Sequence, residues 1–355
     1  MKRYAMVFLV SLAILTVGIA ANPQFLSDEV FYVGAAHSFI AGTASVNPEH
    51  PPLAKYLIAL SIKIFGDGAL AWRFPSALAG ALAALAAFGL TLRLTRSLHS
   101  AYVAWGLLLA NGFWFVMSRM ASLSIFELAF EMAAVWAFLI AVEEKSPRWH
   151  ITSGALFGLS IGSRWCGVVG LSVCLTYSAL LHYDAITRVR NAGLMGGTAV
   201  VVYFASWLPL VIREHRSLGY LIKANTYILH FHRYASSDMR PGEPWWTWLT
   251  TFNVPEALTE LTANPVIGIL GLAAIAVLVW HRKLLLAALF IGHIMQWAIT
   301  SSHWQHYYYY LEAFTWLTLA LAVATQDVTV RRIRVDVLVT ACAATLMVMP
   351  LWRAL

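Results

Sequence analysis

Two carboxylates, Asp28 and Glu29, stand side by side directly after the first long hydrophobic run of the chain. A carboxylate beside a membrane span is costly unless water, a cation or a substrate compensates its charge. A positioned carboxylate can also take the proton of a hydroxyl group as that group attacks an electrophile. The pair therefore predicts a catalytic general base at a membrane face, and the competing interpretation is a polar helix cap.

A second motif, EHPPLAK, follows about twenty residues later, at positions 49–55. His50 and Lys55 flank a rigid proline pair in this motif, and both side chains could contact an anionic or sugar substrate. Prolines and charges are common in loops, so the motif alone is a weak signal. We take His50 and Lys55 as candidate substrate-binding residues.

Three arginines are predicted at the same membrane face, Arg73 at the mouth of the second span and Arg119 and Arg164 in short hairpins. Arginine binds phosphate through two parallel hydrogen bonds and keeps its charge near lipid. Three of them around one vestibule suit a lipid-linked phosphate. The alternative is that each one reaches out to lipid headgroups.

The histidines of the second half form two pairs, His230 with His232 and His303 with His306. A metal site that also uses Asp238 or Glu243 is conceivable. However, the sequence contains no HExxH, CxxC or DxD pattern, so we expect neither a metal nor another cofactor. His232 and His306 could instead contact substrate hydroxyls or pack at the membrane interface.

The composition indicates a membrane protein. Of 355 residues, 60% are apolar and 12% are charged, whereas soluble domains have about 25% charged residues. The formal net charge of +7 does not indicate nucleic-acid binding, because the basic residues lie between hydrophobic runs and form no binding motif. The three cysteines all lie in apolar runs and are expected to be small buried side chains.

The chain contains about eleven hydrophobic runs that we count as spans, two of which (151–163 and 165–182) are short or abut their neighbour, and no soluble domain interrupts them. We therefore expect an all-α integral membrane protein with one domain, residues 1–355. The predicted spans are roughly 4–22, 69–92, 101–118, 120–142, 151–163, 165–182, 193–212, 264–280, 284–301, 306–325 and 335–351.

The short loops predict the orientation. With an odd number of spans, the basic pairs all fall on the side of the N-terminus, which is then cytoplasmic. The long loops, about 23–68 and 213–263, face outward. In the first of these loops, apolar residues at helical spacing predict two short interfacial helices, over about 30–41 and 53–64. A signal peptide is an alternative interpretation of the first span.

Glu127 and Glu131 lie one helical turn apart inside the fourth predicted span. Three interpretations of such a pair are open: it lines a cavity, it meets an arginine, or it marks an ion path. It therefore keeps open an interpretation from another class, a polytopic transporter.

Several stretches taken together resemble the protein O-mannosyltransferases, which belong to the GT-C class of membrane glycosyltransferases. The resemblance rests on Asp28-Glu29, on HPPLAK at 50–55, and on Arg73 at the next span. Later stretches are also similar to the family: SRMASLSIFEL (118–128), GALFGLSIGSRWCG (154–167) and YILHFHRYASSDMRPGEPWWTWL (227–249).

The resemblance implies a GT-C bundle and transfer of a sugar, usually mannose, from a polyprenyl (dolichyl) phosphate donor. The acceptor would be a Ser or Thr hydroxyl of a protein on the outer face, with inversion at the anomeric carbon. Asp28 would be the base, Glu29 would position a substrate, and Arg73 would contact the phosphate, with Arg164 and His50 as further candidates.

The chain also departs from the family. Ser124 stands where the family often has Asp, and about fifty residues stand where eukaryotic members insert a soluble domain. A close alternative is the same fold acting on a lipid or glycan acceptor, as in the aminoarabinose transferases. A plasma-membrane location is expected.

Overall fold

The computed structural model describes most of the chain. The described residues are 1–44, 46–181, 183–234, 244–249, 253–256, 259–300, 307–326, 329–330, 333–334, 339–340 and 342–344. Within them the protein is a helical bundle with two short β-hairpins.

Fifteen α-helices are present in the described residues. They are Lys2–Thr16 (α1), Glu29–Ala41 (α2), Leu53–Phe65 (α3), Ala69–Thr95 (α4), Leu98–Leu109 (α5), Gly112–Met117 (α6), Leu123–Glu143 (α7), Pro147–Ser163 (α8), Gly167–Leu180 (α9), Ala185–Ala205 (α10), Leu208–Arg213 (α11), Gly219–Tyr234 (α12), Pro265–Trp280 (α13), Leu284–Thr300 (α14) and Leu311–Ala324 (α15).

Short 3₁₀ turns lie at Trp245–Leu249 and Tyr307–Tyr310. The strands form two antiparallel pairs, Asn253–Glu256 (β1) with Thr259–Thr262 (β2), and Thr329–Val330 (β3) with Ile333–Arg334 (β4). The all-helical prediction therefore holds for the bundle, and the hairpins are an addition to it.

Within the described part of the chain, three helical segments are long and apolar enough to cross a membrane: Ala69–Thr95, Leu123–Glu143 and Ala185–Arg213. Four shorter apolar helices accompany them: Leu98–Leu109, Gly167–Leu180, Pro265–Trp280 and Leu284–Ile299. The count of eleven spans stays a prediction, and the last predicted span falls largely outside the described residues.

Two predicted spans are broken in the structure. The run over about 101–118 divides at Asn111, whose side-chain oxygen accepts a hydrogen bond from the Trp114 amide and so caps α6. The run over about 193–212 divides between α10 and α11, where Pro209 occupies the first turn of the second helix. Capping groups and prolines inside apolar runs explain both divisions.

The two predicted outer loops differ in how well the prediction describes them. The two short helices of the first loop are confirmed as α2 and α3, and Gly42 between them has a positive φ of 73°. The second loop contains more structure than predicted, because α12 covers sixteen of its residues.

Helix α7 lies at the centre of the bundle and packs against α4, α8 and α9. Helices α4 and α7 start near each other, since Glu29 contacts both Arg73 and the Ala121 amide. They also end near each other, where Arg93 pairs with Glu143. We call the end of the bundle that carries Asp28 the site end, and the end that carries Glu143 the opposite end.

Candidate active site

Asp28 lies at the N-terminus of α2, in a half-buried position. Its Oδ2 atom accepts hydrogen bonds from the Tyr308 hydroxyl at 3.0 Å and from the Tyr32 hydroxyl at 3.3 Å. Tyr32 is one helical turn along α2, whereas Tyr308 comes from the far end of the chain. A small recess beside Asp28 is also lined by Met120 and Ser122. The carboxylate is thus oriented by two phenols, while Oδ1 has no hydrogen-bond partner among the described residues.

Both phenols are held in their protonated form. Burial raises the pKa of Tyr32, and the neighbouring Asp28 carboxylate raises it further. Burial also raises the pKa of Tyr308, as do Tyr309 and Asp28. Each hydroxyl therefore remains a hydrogen-bond donor to the carboxylate over the whole physiological pH range.

Glu29 forms a buried two-pronged ion pair with Arg73. Nε and Nη2 of Arg73 each lie 2.8 Å from a carboxylate oxygen of Glu29. The same two oxygens also accept hydrogen bonds from the backbone amides, one from Ala121 at 2.8 Å and the other from Leu26 at 2.9 Å. Glu29 is thereby saturated with donors, and it fastens the start of α2 to α4 and to the turn before α7.

The remaining donors of Arg73 are bonded to the chain that follows α1. Nη1 donates to the carbonyls of Ile19 and Asn22, and Nη2 donates to that of Gln24. An arginine has five N–H donors, so none is left over. The structure therefore favours a positioning role for Arg73 over the predicted phosphate contact.

Arg119 makes a similar connection at the end of α1. Its Nη1 donates to the carbonyl of Leu15 at 3.0 Å and to that of Val17 at 2.6 Å, and its guanidinium lies over the Phe115 ring. A cation at a helix C-terminus satisfies the last carbonyls and suits the helix dipole. Arg119 thus caps α1 and is a weaker candidate for a phosphate contact than the sequence predicted.

Arg164 is arranged differently. It lies at the break between α8 and α9, where its backbone is extended. Nη1 donates to Ser124 Oγ at 3.0 Å and to Glu312 Oε1 at 2.9 Å. The guanidinium lies 4.7 Å from the centre of the Tyr309 ring. Within the described chain, Nε and Nη2 make no hydrogen bond, so one edge of this buried cation is available to an anion.

Arg164 and Asp28 belong to one site because adjacent tyrosines connect them. Tyr308 donates to Asp28, Tyr309 lies against Arg164, and the centres of the two rings are 4.5 Å apart. The structure thus brings together a carboxylate and an arginine that are separated by more than 130 residues in the sequence.

His50 and His232 form another side of the site. Their ring centres are 5.2 Å apart, and the His50 ring is 6.1 Å from that of Tyr32. Burial lowers the pKa of His50 well below its usual value, and the nearby His232, Lys55 and Arg164 lower it further. His50 is therefore neutral at physiological pH and can both donate and accept a hydrogen bond. The exposed His232 contacts the Glu49 carbonyl at 3.0 Å.

Lys55 is buried and bonded to the loop before α3. Its Nζ donates to the carbonyls of Asn47 at 2.6 Å and His50 at 2.8 Å, and to Asn47 Oδ1 at 3.3 Å. Burial lowers the pKa of Lys55 to about 7, and Glu49 opposes that shift. Three acceptors match the three donors of an ammonium. Lys55 therefore holds the loop that presents His50, and contact with a substrate stays a prediction.

His306, the last predicted substrate-binding residue, lies outside the described residues, as do His303, Asp238 and Glu243. Among the residues that the structure describes, no group of three His, Cys, Asp or Glu side chains could hold a metal ion. The expectation of no cofactor stays a prediction.

A second polar cluster lies deeper, below Arg164. Glu127, Glu131 and Glu312 are all fully buried. Oε1 of Glu131 accepts hydrogen bonds from His293 at 2.8 Å and from Trp316 at 3.0 Å. Both carboxylate oxygens of Glu127 and one each of Glu131 and Glu312 lack a partner in the described part of the bundle. Gly170 leaves room for this cluster, because a Cβ there would lie 2.7 Å from the Glu131 carboxyl carbon.

The sequence analysis missed Tyr32, Tyr308 and Glu312 as site residues. Tyr32 could have been found from its spacing, since residues four apart share a helix face. Glu312 is a carboxylate within a predicted span, and such residues are rare unless they are functional. Tyr308 lies in a run of four tyrosines, and only the fold shows which of them reaches Asp28.

Comparison with solved structures defines the fold first. ArnT from Cupriavidus metallidurans bound to undecaprenyl phosphate superposes with a TM-score of 0.68 at 16% sequence identity, covering 92% of this chain and 60% of that one. The chain therefore has the fold of this ArnT structure.

The sequence comparisons show which proteins the chain is similar to. Residues 49–209 match the family described as dolichyl-phosphate-mannose-protein mannosyltransferase. The polyprenol-phosphate-mannose–protein mannosyltransferase of Corynebacterium glutamicum is 33% identical over 186 residues, which are 46% of this chain and 35% of that protein. The chain is thus similar to the protein O-mannosyltransferases, and the resemblance predicted from its sequence is confirmed.

A second group of similar proteins has a different sugar donor in its name, and that name specifies no protein acceptor. The undecaprenyl phosphate-alpha-4-amino-4-deoxy-L-arabinose arabinosyl transferase of Pseudomonas paraeruginosa is 25% identical over 237 residues, which are 63% of this chain and 43% of that protein. The chain spans half or less of the length of the curated relatives it matches.

Proposed function

We propose that this protein transfers a hexose, with mannose as the best candidate, from a polyprenyl phosphate to Ser or Thr hydroxyls of proteins. The observation that carries the proposal is that Asp28 and Arg164 are connected through the adjacent residues Tyr308 and Tyr309. One is a carboxylate with an unbonded oxygen, and the other is a buried cation with an unbonded edge.

In the proposed reaction, the acceptor hydroxyl oxygen attacks the anomeric carbon as the bond from that carbon to the phosphate oxygen breaks. The hydroxyl proton passes to Asp28, which is the general base. The bonding electron pair leaves with the polyprenyl phosphate, and the free edge of Arg164 stabilises the charge that develops there. Attack from the face opposite the phosphate inverts the anomeric centre.

The other residues of the site have supporting roles in this proposal. Tyr32 and Tyr308 orient Asp28 so that Oδ1 faces the acceptor. The neutral imidazole of His50 bonds a sugar or acceptor hydroxyl, and Lys55 fixes the loop that carries it. The Glu29–Arg73 pair holds the start of α2, and with it Asp28, against the bundle. Positioning both substrates in this way supplies much of the rate enhancement.

We also propose that the site end faces the outside of a plasma membrane and that the N-terminus is cytoplasmic. The basic residues of the predicted cytoplasmic loops include Arg93 and Arg96, which the structure places with Glu143 at the opposite end. In a background without cysteine, we expect a membrane-impermeant thiol reagent to label Ala44→Cys in intact cells. Lys145→Cys should react only after the cells are opened, and the reverse pattern would refute the orientation.

The experiment that tests the activity uses the purified full chain in liposomes. It receives radiolabelled polyprenyl-phosphate mannose and a Ser/Thr-rich peptide. We expect the peptide to be labelled by the unaltered protein and not by Asp28→Asn. A matched control is Asp67→Asn, because Asp67 lies outside the site, where it bonds His37 and Trp72. It should transfer sugar normally.

Either of two results would contradict the assignment. Equal transfer by Asp28→Asn would remove Asp28 from the role of base. Absence of donor turnover, with folded protein and with other polyprenyl-phosphate sugars also tried, would refute the proposed reaction.

A second candidate function is transfer to a lipid or glycan acceptor. It is favoured by one observation, that the aminoarabinose transferase relative aligns with a larger share of this chain than the mannosyltransferase of Corynebacterium does. In the same assay, donor consumption without peptide labelling, together with label in an added lipid or glycan, would establish this alternative.

The transporter alternative has less support. It predicts that the principal polar groups lie at mid-membrane, whereas Asp28, His50 and Arg164 meet at the site end. Glu127 and Glu131 are buried deeper, and Glu131 is bonded to His293 and Trp316. Transport of sugar or ions without transfer, in the liposomes used above, would restore that interpretation.

A further inference from the structure

Arg164 has a carboxylate behind it that the reaction described above does not use. Glu312 is fully buried in the first turn of α15, and its Oε1 lies 2.9 Å from Nη1 of Arg164. The second oxygen of Glu312 has no hydrogen-bond partner in the described residues. A fixed negative charge thus stands on the side of Arg164 away from the free edge.

Arg164 does not need Glu312 to keep its direction. The same nitrogen also donates to Ser124 Oγ at 3.0 Å, and the guanidinium plane rests on Tyr309, 4.7 Å from the ring centre. Removal of the charge on Glu312 would therefore leave Arg164 held by Ser124 and by the rings of Tyr309 and Trp297. The principal change would be electrostatic, the loss of a buried negative charge near the anion site.

The two phosphates that meet Arg164 differ in charge. A polyprenyl-phosphate sugar is a phosphodiester with one negative charge. Its product, a polyprenyl phosphate, is a phosphomonoester whose second ionisation lies near pH 6, as in other phosphomonoesters, so it carries nearly two charges at about pH 8. A negative charge behind Arg164 repels the product more strongly than the donor, because Coulomb energy scales with the charge.

We infer that Glu312 is a positioning residue of the phosphate site that weakens binding of the polyprenyl phosphate product relative to the donor and so promotes its release. This inference rests on the proposed function, because it takes Arg164 as the phosphate ligand. It assigns a task to a buried carboxylate that the transfer step itself does not require.

Glu127 provides a control for replacing a buried glutamate by glutamine within the same cluster. It lies within electrostatic range of Glu131 and Glu312, and it is equally buried. However, it has no ion pair with Arg164, and both of its carboxylate oxygens lack partners in the described part of the bundle. A specific role for Glu312 predicts that Glu127→Gln leaves phosphate binding unchanged.

The test measures dissociation constants at about pH 8 with the full chain in detergent. The probes are undecaprenyl phosphate, a monoester, and its methyl ester, a diester with one charge. For Glu312→Gln we expect about tenfold tighter binding of the monoester and about threefold tighter binding of the diester. Glu127→Gln should change neither constant by more than about twofold.

A second variant works in the opposite direction and does not depend on the folding of Glu312→Gln. Ser124→Asp adds a carboxylate beside the same nitrogen of Arg164, so we expect about tenfold weaker binding of the monoester. Combined with Glu312→Gln, it moves the negative charge from one partner of Nη1 to the other without removing it. The double variant should return the ratio of the two dissociation constants to that of the unaltered protein.

The outcomes separate this inference from the proposed function. If the unaltered protein binds neither probe and transfers no sugar, the proposed function fails, and the role of Glu312 fails with it. If the unaltered protein binds and transfers, but Glu312→Gln leaves the ratio unchanged or weakens monoester binding, this inference alone is overturned. An equal shift in Glu127→Gln would overturn it as well, because the effect would belong to the cluster in general. A purely structural role for Glu312 would lower the thermal unfolding temperature without changing the ratio.

Discussion

Two buried arginine–glutamate pairs lie at the site end of this protein, and they differ in how many of their donors are satisfied. In the Glu29–Arg73 pair, all five N–H groups of the arginine and both oxygens of the carboxylate have partners. In the Arg164–Glu312 pair, only Nη1 of the arginine is bonded, within the described residues, and one carboxylate oxygen is unpaired.

The difference indicates two functions for one kind of pair. A saturated pair can bind nothing further, and its bonds connect α2, α4 and the chain after α1. An unsaturated pair keeps buried hydrogen-bonding groups that cost free energy until a ligand satisfies them. The position of an arginine in the sequence does not show whether its pair is saturated or unsaturated. The first pair is therefore assigned to the fold and the second to the site, and the following experiments test that division.

The largest effect is expected when Arg73 is replaced. Arg73→Gln leaves Glu29 buried without a counter-charge and frees the carbonyls that follow α1. Breaking a buried pair in this way costs about 3–5 kcal/mol. We expect a large fall in the thermal unfolding temperature and low yields of folded protein. The double variant with Glu29→Gln should be more stable than Arg73→Gln alone, because it removes the unpaired charge. A stable single variant would remove Arg73 from its role in the fold.

Arg164→Lys should give the opposite pattern. A lysine can still pair with Glu312, so the unfolding temperature should change little. It has no second edge for a phosphate, because an ammonium does not reproduce the fork of a guanidinium. We expect sugar transfer to fall about 100-fold, the size of effect seen when one charge-stabilising donor is lost. If Arg164→Lys instead kept normal sugar transfer but had a much lower unfolding temperature, the Arg164–Glu312 pair would be assigned to the fold as well.

Tyr308→Phe is expected to have a moderate effect. The substitution removes one of the two hydroxyls that orient Asp28, and Tyr32 retains the other. Loss of one hydrogen bond to a charged group predicts about a tenfold fall in kcat/KM, without loss of folded protein. Tyr227→Phe is the control, since Tyr227 lies exposed on α12. An unchanged rate for Tyr308→Phe would mean that Tyr32 alone fixes the carboxylate.

The sequence was sufficient to predict the class of fold and part of the site. Hydrophobic runs, basic flanks and helical spacing predicted the bundle and the two helices of the first loop, because these features are local. Asp28, His50 and Arg164 were selected by residue type and by resemblance, and the structure brings them to one end. Their assigned roles in catalysis and binding stay predictions.

The state of each arginine could not be predicted, because its partners are distant in sequence. Arg73 bonds backbone carbonyls about fifty residues earlier, and Glu312 lies 148 residues beyond Arg164. Carbonyls are present at every residue, so no sequence pattern marks the ones that are used. The break at Asn111 was missed for a related reason, since a capping residue inside an apolar run has little effect on periodicity.

Lys55 is a buried cation that, unlike Arg73 and Arg164, has no carboxylate partner among the residues that the structure describes. Its replacement is expected to have the smallest effect of the substitutions considered. Its pKa is about 7 in the folded chain, against an ordinary value of 10.5. Between these two values the unfolded chain holds a proton that the folded chain has released, so stability rises with pH across this window. The variant Lys55→Met keeps the length of the side chain and removes the titration. The thermal unfolding temperature is measured between about pH 7 and pH 10. It should rise less steeply with pH in Lys55→Met than in the unaltered protein. Identical slopes would mean that the three acceptors around Nζ keep the ammonium charged, and Lys55 would then be a satisfied cation of the same kind as Arg73.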